Sequence, residues 1–179
     1  FSSRRRHTRS FHVTGVQTCA LPICVPALVE GYVPLLRRMA SAPVTVVHGD
    51  YRLDNLFFDA AAGAGREVAV IDWQFICRCR GMYDVGYFLG LDLDPAVRRA
   101  EERALIAAYL DELAARGVAD YSPEAAWNDY RRALLMGFAV FLIGAAAEQP
   151  NARMGVVHQV GLARLAAAIE ETDALAVLG

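Results

Sequence analysis

The sequence predicts an α+β fold that is predominantly α-helical, with a few short strands in its first half. Short apolar segments alternate with polar loops between residues 44 and 71, whereas apolar residues recur at helical spacing from Asp84 onward. Of the 179 residues, 55% are hydrophobic and 21% are charged. A chain of this length and composition can bury a core of ordinary size, which excludes a disordered protein.

The first half of the chain begins with a helical pattern over residues 25–40. Pro34 lies inside this pattern, so we expect either a kink or a late start of the helix. The short strands that follow are predicted at residues 44–47, 55–59 and 67–71. The Ala- and Gly-rich residues 60–65 predict a hairpin-like connection, and residues 72–83 predict an irregular stretch.

The second half predicts a block of helices. Asp94-Pro95 is a typical helix start, and Gly117 is a typical end. Two more helices are predicted, over residues 123–147 and 152–172. The uncharged stretch 133–147 is shorter than the roughly 20 residues that span a bilayer, so we expect a buried helix and no membrane partner.

The charged residues are distributed unevenly. All 18 basic residues are Arg, and from Val25 onward 14 Arg stand against 20 acidic residues, a formal charge of −6. An acidic body argues against nucleic acid as the partner. Cys77 and Cys79 lack the paired spacing of a zinc site, so we expect free thiols in a reducing, cytoplasmic location.

The first 24 residues differ from the rest of the chain. Residues 13–23 (VTGVQTCALPI) match the in-frame translation of a common short-read sequencing adapter. We therefore interpret residues 1–24 as a non-native leader and residues 25–179 as the native domain. The nucleotide sequence tests this hypothesis, because different codons across the segment would contradict it.

Two segments carry side chains suited to phosphoryl transfer. His48-Gly49-Asp50 follows a predicted strand, Asn55 stands five residues after Asp50, and Asp72 ends another predicted strand. Carboxylate and amide oxygens are ligands that Mg²⁺ accepts beside nucleotide phosphates, which suits Asn55 and Asp72. Asp50 can orient an acceptor hydroxyl and take its proton late in a loose transition state.

The spacing HGDxxxxN, followed by IDW and then YDVGYFL, resembles the aminoglycoside phosphotransferase and choline kinase superfamily, which is related to protein kinases. Its bacterial phosphotransferase and ecdysteroid kinase-like branches are the most similar. The resemblance covers residues 25–179 and implies the C-terminal lobe of a protein-kinase-like fold, with short strands carrying the catalytic and metal-binding loops.

The resemblance also implies a role for each residue of the motifs. Asp50 corresponds to the catalytic base, and Asn55 and Asp72 to the ligands of Mg²⁺ and thereby of ATP. His48 corresponds to the residue that braces the catalytic loop, and Asp84 to the acceptor of that loop's backbone N–H groups. Arg52 is a further candidate for contact with phosphate or substrate, although a solvated loop Arg is an equal alternative.

The sequence also departs from the family pattern. Cys77-Arg78-Cys79-Arg80 replaces the Gly-Asp-Pro-type segment of many relatives, so we expect a local difference there. Relatives carry an N-terminal lobe with a phosphate-covering loop and a Lys, whereas this chain contains no Lys. We therefore expect a catalytic-lobe fragment of an ATP-dependent small-molecule kinase that is inactive without its nucleotide-binding lobe.

Several alternatives remain. Each motif taken singly is compatible with an ordinary turn or strand-end cap. A pseudokinase-like lobe that binds a ligand or partner without transfer is the main functional alternative, and a metal-dependent phosphoester hydrolase is a weaker one. Trp73 is expected in the core rather than as a substrate platform. Four residues of the helical block could form an acceptor wall, but we expect helix packing: Tyr121, Trp127, Asp129 and Tyr130.

Overall fold

A computed structural model describes residues 17–58, 68–147 and 152–178. Within these ranges the chain forms five α-helices and four three-residue strands. In order they are α1 (Gln17–Met39), β1 (Thr45–Val47), β2 (Leu56–Phe58), β3 (Val68–Val70), β4 (Cys77–Cys79), α2 (Met82–Asp92), α3 (Pro95–Ala115), α4 (Pro123–Ala147) and α5 (Ala152–Glu171). Short 3₁₀ helices cover Leu53–Asn55, Trp73–Phe75 and Ala174–Val177. The predicted, mainly helical α+β class is confirmed.

The strands form two antiparallel pairs. β2 pairs with β3, with Leu56 opposite Val70, so the predicted hairpin pairing is confirmed. Its connection at residues 60–65 lies outside the described residues. β1 pairs with β4, with Val47 opposite Cys77. The prediction that residues 72–83 are irregular is wrong in part, because β4 and the start of α2 lie within them.

The first helix does not start late. α1 continues through Pro34, so the alternative of a start near this residue is wrong. Leu28, Leu35 and Met39, which lie within the predicted helical pattern, are buried. α1 begins at Gln17, inside the segment interpreted as a leader, and that hypothesis stays a prediction.

The helical core is built around α4, which confirms the predicted buried helix. Ala133, Leu134, Leu135 and Phe138 are buried, and α4 packs against α2 and α5. Among the described residues, α4 is also the helix whose length and apolar composition would suffice to cross a membrane. Half of its most apolar window lies inside the fold, a property that core helices of globular proteins share.

Each of the four residues considered for an acceptor wall contacts neighbouring side chains of the fold. Asp129 is 1% exposed and accepts hydrogen bonds from the Arg80 guanidinium at 2.6 Å and the Tyr121 hydroxyl at 2.8 Å. Tyr130 is buried, and its hydroxyl donates to Glu102. The remaining one, Trp127, lies under the Arg103 guanidinium, 3.1 Å from the ring centroid.

Candidate active site

The loop that carries His48 and Asp50 leaves β1 through a sharp turn at Gly49. This residue has φ 88°, a left-handed conformation that side chains disfavour. A Cβ atom added here would lie 2.4 Å from the backbone oxygen of Phe75. The loop therefore approaches the segment after Asp72 so closely that only Gly fits, and this contact holds the two motif segments together.

Asp84, in the first turn of α2, anchors the same turn. Its carboxylate accepts hydrogen bonds from the backbone N–H of His48 at 2.6 Å and of Gly49 at 3.0 Å. Burial raises the pKa of Asp84, and the two N–H donors oppose that rise. The contact is of the kind that the family resemblance implies for this residue.

The His48 ring bridges the two motif segments. It is 2% exposed. Its Nε2 lies 2.8 Å from the backbone oxygen of Ile71, and its Nδ1 lies 3.2 Å from the backbone N–H of Asp50. Nδ1 must accept from that N–H, so Nε2 carries the proton and donates to Ile71. His48 thereby fixes Asp50 relative to the strand that precedes Asp72.

Asp50 and Asn55 contact each other directly. The Asn55 amide nitrogen donates to the backbone oxygen of Asp50 at 2.9 Å and to its Oδ2 at 3.0 Å. Asn55 is 5% exposed, so its amide is held in one orientation. The nitrogen is turned towards Asp50, and Oδ1 is therefore the atom of this amide that a cation could approach.

Asp72 follows the strand that pairs with the strand after Asn55. The backbone N–H of Ile71 donates to the backbone oxygen of Asn55 at 3.0 Å. Asp72 itself adopts a left-handed conformation, with φ 63° and ψ 57°, and it is exposed. The β2–β3 pairing thus brings Asp72 beside Asn55 at one end of the hairpin.

Arg52 and Trp73 lie beside these residues. The Nε atom of Arg52 is 3.4 Å from Asp50 Oδ2, and its NH1 is 3.4 Å from Asp54 Oδ2. Arg52 is thus paired with acidic groups of the loop rather than solvated. The expectation that Trp73 lies in the core is wrong, because it is 46% exposed and packs one edge against the His48 ring.

Helix α2 also supplies contacts to the loop that the sequence motifs did not indicate. The Tyr87 hydroxyl donates to Asp50 Oδ1 at 3.0 Å, and Asp92 Oδ2 accepts from the backbone N–H of Leu53 at 2.8 Å. Tyr87 stands one helical turn after Asp84. That spacing places both on one face of α2, so helical periodicity could have identified Tyr87.

Comparison with known families agrees with this geometry. The sequence model of the phosphotransferase enzyme family (APH) matches residues 11–168. The chain belongs to this family. The match begins inside residues 1–24 and covers all the motif residues described above. No curated protein and no solved structure gives a significant match.

Membership in this phosphotransferase family makes the chain kinase-like, and its mainly helical fold is that of the C-terminal lobe. In the described part of the chain, no group of three or more His, Cys, Asp and Glu side chains could hold a metal ion. Asn55 and Asp72 nevertheless fit Mg²⁺ brought by a nucleotide, because this ion often takes one or two protein ligands beside phosphate oxygens and water.

Proposed function

We propose that this chain is the catalytic lobe of a small-molecule kinase, in which the γ-phosphate of ATP is transferred to a substrate hydroxyl. The observation that carries this proposal is the Asp50–Asn55 hydrogen bond combined with the β2–β3 pairing that brings Asp72 alongside. Base and metal ligands then stand at one edge of the hairpin, as in-line transfer requires.

Asp50 accepts the proton of the acceptor hydroxyl and orients it towards the phosphorus. Asn55 Oδ1 and Asp72 would hold Mg²⁺, which when bound would neutralise charge on the nucleotide phosphates. His48 and Asp84 act by fixing the loop, and Arg52 holds the Asp50 carboxylate in place. The hydrogen-bonded arrangement supports an enzyme over a pseudokinase, because all three chemical groups are present together.

The nucleotide-binding part of the enzyme would pack against the strands of this lobe. Val46, Phe57, Phe58 and Val68 are large apolar residues of β1–β3 that lie 42–61% exposed. Exposed large apolar side chains are typical of surfaces that pack against another unit. This supports an N-terminal lobe that supplies the Lys absent from this chain, and we expect the 179 residues alone to show little transfer.

The test uses the protein together with its nucleotide-binding lobe. Asp50→Ala should lower kcat about 100-fold or more, because the group that accepts the proton is lost. Asp72→Ala should instead raise the Kd of the Mg²⁺-nucleotide about tenfold or more, through a lost charged contact. Steady-state kinetics and nucleotide titration measure the two effects.

The matched control is Asp111→Ala, which removes an exposed carboxylate of α3 and should leave both parameters unchanged. Near-wild-type turnover of Asp50→Ala would show that another group is the base. Tight nucleotide binding without transfer to any hydroxyl acceptor would favour the pseudokinase-like alternative.

A further inference from the structure

An apolar cavity of about 260 Å³ opens beside Asp50. Its wall includes Phe75, which follows Asp72 in the chain, and Tyr87 of α2. Met136 and Val140 of α4 complete the apolar side. Among the described lining residues Asp50 is the charged one, so this part of the chain presents one carboxylate in an otherwise uncharged surface.

The two oxygens of the Asp50 carboxylate have different surroundings. Oδ2 contacts Asn55 and Arg52, and neither residue lines the cavity. Oδ1 accepts from the hydroxyl of Tyr87, which does line it. Oδ2 therefore lies on the side of the proposed metal ligand Asn55, and Oδ1 lies on the side of the apolar cavity.

The charge balance of the cavity disfavours a cationic acceptor. The Asp50 carboxylate already has Arg52 at 3.4 Å, and the Asp84 carboxylate is engaged by two backbone N–H groups. The described residues of the lining contribute no further acidic group to offset an ammonium group. Moving an ammonium from water into such surroundings is costly without a partner, whereas an apolar body gains free energy there.

We propose that this cavity binds the acceptor, and that the acceptor is an uncharged alcohol with an apolar body. The inference rests on the proposed function for the transfer itself. The acceptor oxygen forms a new bond to the γ-phosphorus, and the bond from that phosphorus to the bridging oxygen of ADP breaks. The hydroxyl proton passes to Asp50 Oδ1, while Tyr87 acts as a positioning residue.

A cavity of about 260 Å³ has room for a small organic molecule. A neighbouring cavity of about 440 Å³ is lined by Arg52, Asp54, Asp92 and Arg164. Asp50 does not line that cavity, so an acceptor held there would not meet the proposed base.

The test measures binding to the 179-residue chain without nucleotide, so that it is independent of phosphate transfer. Cys77 lines the cavity and is exposed, whereas Cys79 is buried. In a Cys19→Ser/Cys24→Ser background, the rate at which iodoacetamide labels Cys77 reports occupancy of the cavity. Peptide mass spectrometry identifies the labelled thiol, and calorimetric titration gives a second measure of binding.

The probes are butan-1-ol, pentan-1-ol and hexan-1-ol, with 6-aminohexan-1-ol and glycerol as polar counterparts. We expect protection of Cys77 by the alkanols, with about fourfold tighter binding for each added methylene. The amino alcohol and glycerol should protect at least tenfold less well than hexan-1-ol. Equal or better protection by either polar probe, or no protection by the alkanols, would overturn the proposed substrate class.

A pair of variants on α4 separates the cavity from non-specific effects of alcohols. Val140→Glu places a carboxylate in the lining and should abolish protection by hexan-1-ol. Ile143→Glu, on the same helix, is 59% exposed and should leave protection intact. Equal loss of Cys77 protection in both variants would contradict binding of the alcohol in this cavity. The proposed function is tested separately, since it fails if the two-lobe protein transfers no phosphate. The binding experiment contains no nucleotide, so its outcome does not depend on that transfer.

Discussion

At the level of single residues, the site depends on side chains that fix the loop carrying Asp50. Asp84 accepts two backbone N–H bonds, and His48 bridges the loop to Ile71. Neither side chain needs to touch a substrate for this. The loop is held by buried polar contacts whose loss leaves donors without partners, and such losses are costly.

We predict that Asp84→Ala lowers the free energy of unfolding by about 1–3 kcal/mol, because the N–H groups of His48 and Gly49 lose their acceptor. Chemical denaturation measures the change. Hydrogen exchange of these two amides should accelerate in the variant. Asp111→Ala is the control at an exposed position of α3. Unchanged exchange at residues 48 and 49 would show that Asp84 does not hold the turn.

At the level of elements, the site depends on how closely α2 approaches α4. A Cβ atom added to Gly86 would lie 2.5 Å from the Ala133 side chain. The two helices therefore pack so closely at Gly86 that no side chain fits between them. Tyr87, the next residue, is buried by this packing and reaches Asp50. The helix spacing thus helps to place a hydroxyl in the site.

We predict that Gly86→Ala destabilises the fold by about 1–3 kcal/mol, because the added methyl group must push α2 and α4 apart. The matched control is Gly155→Ala in α5, where an added Cβ meets no atom within 4 Å. That change should be neutral or stabilise by about 0.5–1 kcal/mol through helix propensity. Thermal unfolding of both variants measures whether the loss of stability is specific to the contact between α2 and α4 or follows from any Gly→Ala change in a helix. Equal destabilisation by the two would exclude close helix packing as the cause.

At the level of the whole molecule, burial of titratable side chains makes stability depend on pH. Cys79 is 5% exposed, and its thiol donates to the backbone oxygen of Met39. Burial raises the pKa of this thiol from 9.0 to about 11. The folded chain therefore keeps a proton that the unfolded chain releases between these two values.

We predict that the free energy of unfolding falls as the pH rises from 9 to 11, by about 1–3 kcal/mol from Cys79. The sign follows because a raised pKa in the folded state stabilises only while the thiol stays protonated. Urea denaturation across this range measures it. Cys79→Ser keeps a hydroxyl donor that does not titrate there, so its profile should be flatter. Parallel profiles for both proteins would contradict the prediction.

Periodicity and spacing in the sequence predicted the mainly helical class, the β2–β3 pairing and the positions of the motif residues. Helical stripes and β-branched runs are local patterns, so they can be recognised without the fold. The same patterns could not predict β4, because Cys77–Cys79 contains no β-branched or aromatic residue that would mark a strand. Nor could they predict that Trp73 lies exposed beside His48.

Only the tertiary structure decided which oxygen of Asp50 faces which neighbour, and where the apolar cavity lies. Tyr87 reaches Asp50 across 37 positions of the chain, and Met136 and Val140 come from a helix still further along. Contacts of this kind depend on how closely helices pack, which is set by side-chain volumes in three dimensions. Local motifs therefore indicate the phosphotransferase family, whereas the cavity beside Asp50 arises from packing between distant segments of the chain.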